Sequence, residues 1–333
     1  MTSPSTAQTG EADTPAERGA RSLRRQGGLA ERAAEIAIHA VALVSIAAIL
    51  LILIFVGKEA LPLLTSPEVH KEVTPIGMLA PIERAGQALY MWQPVSDVPK
   101  YNVLPLIVGS IKVTLVALVF AVPLSVAAAL FVSEYAKGRL REVVKPAIEL
   151  LAGVPSVVVG FFALVTLASW IQATFGTEHR LNALVAGLGL AFAICPIVFS
   201  VAEDALRAVP RSYREAALAM GSTRAQTVLR VVLPAAAPGI AAAVVLGFGR
   251  AIGETMIVVM ASGNAALLDA SLGRSARTIT ATIAQELGEV VVGSPHYDVL
   301  FALGAMLFTA TFVVNLVGER VVDGMRRRLG AGS

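Results

Sequence analysis

Residues 210–239 read Pro-Arg-Ser-Tyr-Arg-Glu-Ala-Ala-Leu-Ala-Met-Gly-Ser-Thr-Arg-Ala-Gln-Thr-Val-Leu-Arg-Val-Val-Leu-Pro-Ala-Ala-Ala-Pro-Gly, a short charged insert in an otherwise apolar chain. The stretch predicts two helical pieces with a stop between them. Ser212 stands three residues before Glu215, the spacing of a capping box, and Gly221 can take the left-handed conformation that ends a helix. Thr223 and Gln226 repeat the box for the second piece. On the first piece Ala216, Ala217 and Met220 share one face, small enough to lie in a groove of another protein, while Arg211, Arg214 and Glu215 are expected to stay in water. Helix grammar alone leaves two readings open, a docking helix and a plain connection with well-capped turns.

Composition sets the class around that insert. Of 333 residues, 56% are hydrophobic and 15% charged, and the mean hydropathy is +0.72. That is too apolar for a water-soluble domain of this size and places the chain in a bilayer. Residues 1–33 are rich in Ser, Thr, Pro and Gly and carry five arginines, so a disordered basic cytosolic tail is expected. The first apolar run is long and lacks a small-residue cleavage pattern, which predicts an anchor that is retained. Six segments, near 34–56, 104–132, 144–172, 182–203, 236–262 and 298–319, can cross a hydrocarbon core about 30 Å thick. An all-α membrane protein follows, with one transmembrane domain over 34–325 and the charged loop over 204–235. Of the 27 Lys and Arg residues, eighteen fall in the tail, the 134–145 turn, the 204–235 loop and the C-terminus, seven in the opposite loops and two within segments. The positive-inside rule therefore puts both termini and the charged loop in the cytoplasm. The same distribution accounts for the pI of about 9.2 without nucleic acid as a partner.

Within the segments a few residues stand out. Trp92, Pro94 and Tyr101 mark the long first outer loop as a cap at the membrane surface. Lys112 lies about 12 Å along its helix from Leu104, close enough to the end to snorkel to water, and is also a substrate-contact candidate. The third segment carries Gly153, Pro155 and Ser156; proline removes a backbone bond and bends the helix, which suits a gate and equally suits close packing. The lone Cys195 offers neither a disulfide nor a metal cluster. The fifth segment holds Gly249-Arg-Ala-Ile-Gly-Glu-Thr-Met256. Arg250 and Glu254, four apart, share a helix face and can pair, and Gly249 and Gly253 form a face open to close helix approach. Arg250 lies about 18 Å from Pro238, past the middle of the bilayer. A guanidinium in a narrow dry passage would attract a tetrahedral oxyanion, with Glu254 limiting the hold and Thr255 beside it; a structural ion pair between helices is the other reading.

Glu215-Ala216-Ala217, Gly221, Val231, Leu233 and Pro234 have the spacing of the signature loop of ABC-importer permeases, with Val231 where isoleucine is usual. Gly249 to Met256 resembles the fifth-helix motif of the PstC-type permease of the phosphate-specific ABC importer. Trp92-x-Pro94, Pro155-Ser-Val-Val, the run Thr280 to Glu289, Gly293-Ser-x-His-Tyr297 and Leu300-Phe-Ala resemble it too. The resemblance covers about 34–325 and implies a MetI-like five-helix core with one leading helix, in a bacterial inner membrane. It implies that Arg214, Glu215, Ala216, Ala217, Met220 and Gly221 form a cytoplasmic coupling helix against an ATPase. It also implies that Arg250 and Glu254 line a phosphate path. The partners implied are a sister permease, two ATPase subunits that carry ATP and Mg, and an extracytoplasmic phosphate-binding protein. Residues 264–297, with Arg274, Arg277, Glu286, Glu289 and His296, would face that binding protein or simply carry solvated charge.

No phosphate loop, His-Glu-x-x-His or clustered His and Cys is present, so neither an enzyme nor a metal or other cofactor site is expected in this chain. Three other functions remain compatible with parts of the sequence: a permease for sulfate, molybdate or phosphonate, an anion channel or ion-coupled carrier, and a membrane sensor.

Overall fold

The computed structural model describes residues 28–84, 87–136 and 138–328. The tail expected over 1–33 lies outside the described residues as far as position 27, and the chain is helical from Gly28. Two units are distinguished, Met1–Phe55 and Val56–Ser333. The described part of the first belongs to α1 (Gly28–Ala60), an apolar helix that continues across the boundary.

In the second unit, α2 (Pro62–Thr65) and α3 (Pro67–Glu72) each open on proline, which fits a first helical turn because its missing N–H has no intrahelical partner there. Two small hairpins follow, β1 (Ile82–Arg84) with β2 (Gln87–Leu89) and β3 (Trp92–Gln93) with β4 (Lys100–Tyr101), both antiparallel. Then come α4 (Leu104–Leu130), ending in a π-helical turn Phe131–Tyr135, and α5 (Arg139–Ala152). The chain continues through α6 (Ser156–Phe162), a π-helical turn Ala163–Leu167, α7 (Ala168–Phe175) and α8 (Ala183–Ala208). The charged loop supplies α9 (Arg211–Ala219), α10 (Arg224–Thr227) and a third π-helical turn, Val228–Val232. It leads into α11 (Leu233–Ile252), α12 (Met256–Ala261), α13 (Ile279–Glu286) and α14 (Pro295–Arg328).

Among the described residues six helical runs are long and apolar enough to cross a membrane: Glu31–Thr65, Leu104–Tyr135, Ser156–Phe175, Ala183–Ala208, Arg224–Ile252 and Pro295–Arg328. Hydropathy alone joins α5 to the third of these, from 144. The backbone instead breaks at Gly153 and Pro155, whose ψ of 136° is extended, so proline starts α6 rather than bending a continuous helix. What is left upstream, α5, is amphipathic and buries none of its residues. The fifth segment breaks as well. Helix α11 stops at Ile252 and α12 starts at Met256, so the segment expected to run unbroken to 262 is two pieces.

Packing follows the small residues. Helices α4 and α8 share a core of Val113, Ala117, Ala121, Ala186, Leu190 and Ile194, completed by Ala163, Ala251 and Ile257. One end of the bundle, the loop face, carries the α9–α10 loop. At the opposite end, the cap face, α2, α3, β3, β4 and α13 gather over a second core of Leu63, Val69, Trp92, Tyr101, Leu106, Ile279 and Leu300. Side chains tie the helix starts down, Asn182 accepting from the Val185 N–H at 2.9 Å and Thr278 from that of Ala281 at 3.2 Å. Trp92 is therefore not a ring at a water–lipid boundary. It is 3% exposed and meets Tyr101 edge-on, with ring centres 5.7 Å apart. Burial and the bond to Glu72 push the Tyr101 hydroxyl well above its ordinary range.

Candidate functional site

Two constellations carry the residues singled out from sequence, one at the far end of α11 and one on the loop face. At the first, Arg250 sits in the last turn of α11 and Glu254 in the break that follows. Their closest approach is 3.6 Å, from Nη2 to Oε2. The pairing expected along one helix face thus forms around a helix end. Burial divides the pair: the Arg250 side chain is 52% exposed and that of Glu254 only 7%. The Glu254 carbonyl accepts from the Thr280 hydroxyl at 3.1 Å, which holds the break against α13. Thr255 donates to the Gly253 carbonyl at 3.4 Å and is half-buried.

The Gly249 and Gly253 face meets no closely approaching helix within the described residues. A Cβ on Gly249 would meet only the Asn315 side chain at 3.8 Å, and one on Gly253 only its own helix's backbone. Gly253 instead ends α11. Of the expected gate residues, Gly153 and Pro155 are exposed at their break and Ser156 is half-buried as the first residue of α6. Helix α6 packs closely on α12, because Gly160 faces the backbone of Met256 and Ile257.

On the loop face the sequence grammar holds in part. Gly221 has φ of +81°, the left-handed stop, and Thr223 and Gln226 complete both hydrogen bonds of a capping box, at 2.9 and 3.3 Å. The box expected at Ser212 is absent. Pro210 occupies the cap position with no side-chain bond, and Ser212 lies inside α9. Glu215 and Ala216 are exposed, Ala217 is half-buried and Met220 is 87% exposed. Arg214, expected in water, is not there. It clasps Glu134 at 2.6 Å and donates to the carbonyls of Val209 at 2.6 Å and Leu206 at 2.9 Å.

Two carboxylates, Glu134 and Glu203, escaped the sequence reading because each meets partners far along the chain. Glu134 takes Arg214, eighty residues away. Glu203, fully buried in α8, takes Arg141 and Lys145 of α5, each at 2.8 Å. That bond raises the Lys145 pKa. On the cap face Glu286 accepts from Trp92 Nε1 at 3.0 Å and Arg277 at 2.5 Å, and His296 Nε2 lies 2.9 Å away. Arg277, Glu286 and His296 are thereby paired with one another, whereas Glu289 is exposed. Arg274 bonds Glu178 at 3.0 Å and Asp269 at 2.9 Å. The Ser271 N–H, ahead of Arg274, holds the Asp269 carboxyl below its ordinary range. Lys112 does not snorkel freely: its ammonium donates to the carbonyls of Asp269 and Ser271, at 2.9 and 2.8 Å. Among the described residues no group of three His, Cys, Asp or Glu side chains is placed to hold a metal ion.

Comparison with known proteins fits this architecture. The probable ABC transporter permease protein YqgH of Bacillus subtilis is 37% identical over 297 residues, 89% of this chain and 92% of its own length. The phosphate transport system permease protein PstC of Mesorhizobium japonicum is 34% identical over 259 residues, 72% of this chain and 78% of its own. Among solved structures, a chain of a bacterial alginate ABC transporter, determined in complex with an alginate pentasaccharide-bound periplasmic protein, superposes with a TM-score of 0.57. At 18% identity over 91% of this chain and 98% of its own, that likeness speaks to the fold, which is the ABC-importer permease fold. Residues 121–330, which hold the α9–α10 loop and the Arg250 break, match the family described as binding-protein-dependent transport system inner membrane component, and this multi-pass membrane chain belongs to that family.

Proposed function

We propose that this chain is one of two permease subunits of an ATP-driven phosphate importer, forming half of the translocation path. The observation that carries the reading is the Arg250 side chain, 52% exposed at the end of an apolar membrane run. A guanidinium is too costly to leave in lipid, so it faces a watery passage or a second chain. Glu254 approaches from one side only and beyond hydrogen-bond distance, which leaves the planar fork free for the oxygens of a tetrahedral anion. The nearby carboxylate keeps that hold weak enough for release. The PstC name of the relatives supports phosphate as the anion.

Partners follow from the same reading. Helix α9 presents Tyr213, Leu218 and Met220, 50%, 50% and 87% exposed, to a cytosolic ATPase subunit, two of which bind ATP and Mg. A sister permease completes the path and an extracytoplasmic binding protein delivers phosphate to the cap face. Closure of the ATPases pushes α9 and rocks the helices between inward- and outward-open states. This chain's part is to hold and pass the anion and to transmit motion.

The test is phosphate uptake by vesicles holding this chain with its sister permease and ATPases. Uptake is expected to need both ATP and binding protein, to be insensitive to sulfate, and to be abolished in Arg250→Gln with the complex still assembled. ATP-independent flux would replace the importer by a channel or secondary carrier. Normal uptake in Arg250→Gln would leave that arginine a structural residue.

A further inference from the structure

Helix α9 buries none of its nine residues, so apolar packing does not fix it to the rest of the chain. Its side-chain hold runs through Arg214. That guanidinium meets both carboxylate oxygens of Glu134, from Nε at 3.2 and 3.3 Å and from Nη2 at 2.6 Å. From the far side of Gly221, Arg224 reaches the same residue, donating to the Glu134 carbonyl and covering the Tyr135 ring at 5.1 Å. Both halves of the loop therefore close on one residue of α4's terminal π-helical turn. The π geometry shapes the contact: the Ala136 N–H bonds back to Phe131 at 2.9 Å, adding a residue to the turn, and the Glu134 side chain is only 9% exposed.

The other end of α4 is fixed equally firmly to the cap face. Lys112 holds two carbonyls of the 269–271 loop, and the Ser110 hydroxyl accepts from the Ile279 N–H at 3.1 Å. A Cβ on Gly109 would overlap the Arg277 carbonyl oxygen. One helix thus grips the loop that meets the ATPase and the segment that faces the binding protein.

We propose that Glu134 is the positioning residue through which displacement of α9 is passed to α4 and so to the cap face. The proposal rests on the importer reading above. Without the Glu134 carboxylate, α9 can shift while α4 stays in place, so ATP is hydrolysed without the helices rearranging.

The experiment measures phosphate moved per ATP hydrolysed in vesicles holding the complete complex. Glu134→Gln is expected to lower the ratio about tenfold, the scale of a lost charge-assisted bond. Assembly and ATP hydrolysis are expected to stay at the unaltered level in Glu134→Gln, so that the fall lies in uptake alone, a split that a merely structural role would not produce. Arg224→Gln, which leaves the carboxylate bridge intact, is expected to give a smaller fall. Should Glu134→Gln fail to assemble, Arg214→Lys, with its charge kept and its fork removed, carries the measurement with the same expectation. A wild-type ratio in an assembled Glu134 or Arg214 variant would overturn the proposal while leaving the importer reading intact. ATP-independent uptake by the unaltered chain would overturn both.

Discussion

Gly109 shows how little room single residues have where α4 meets the cap. The Arg277 carbonyl occupies the place of its missing side chain. Gly109→Ala is expected to destabilise the protein by about 1–3 kcal/mol, as overpacking does, and to lower the midpoint of thermal unfolding in detergent. Gly288, with nothing within 4 Å of its would-be Cβ, is the control, and Gly288→Ala should leave the midpoint unchanged. Residues of these two kinds look alike in sequence. The charges divide in the same way: Arg250 and Glu254 were legible because four residues separate them, whereas Glu286 depends on Trp92, 194 positions away. Arg214 looked like a wetted residue because nothing in its own helix shows that Glu134 is waiting for it.

Among the elements, the α9–α10 loop was the most legible because its rules are local. Gly221 at φ +81° and the Thr223 box depend on neighbours within a few positions. No atom lies within 4 Å of a Cβ at Gly221, so its requirement is conformational and not one of space. Gly221→Val is therefore expected to cost at least roughly 1–2 kcal/mol at the turn and to separate ATP hydrolysis from uptake. Asparagine tolerates the left-handed region, so Gly221→Asn should keep the two in step. Equal loss in both variants would show that something other than backbone conformation is at work. The membrane helices were legible by hydropathy in number but not in continuity. Apolar residues flank 153–155 and 253–255 on both sides, so a hydropathy window crosses both breaks. Only Pro155 and Gly253 mark them, and membrane helices also carry proline and glycine without breaking.

For the whole molecule, the distribution of Lys and Arg predicts which face is which. In a Cys195→Ser background, a membrane-impermeant thiol reagent applied to intact cells should label Val292→Cys, at a site 76% exposed on the cap face. It should not label Ala219→Cys on the exposed α9 until the membrane is opened. The reverse pattern would invert the topology and remove the loop from the ATPase. That the fold lies at this level within reach of sequence reflects how few structures a bilayer allows; the joints between helices are set by tertiary geometry and are not. One of those joints has a mechanical corollary. Helix α4 has 27 residues, so it is a rod about 40 Å long. Turned about its Glu134 end by roughly 5°, it would sweep its Lys112 end sideways by about 3 Å, nearly the reach of a hydrogen bond. On the coupling proposed above, that gearing would turn a small displacement of α9 into a change of grip on the cap face.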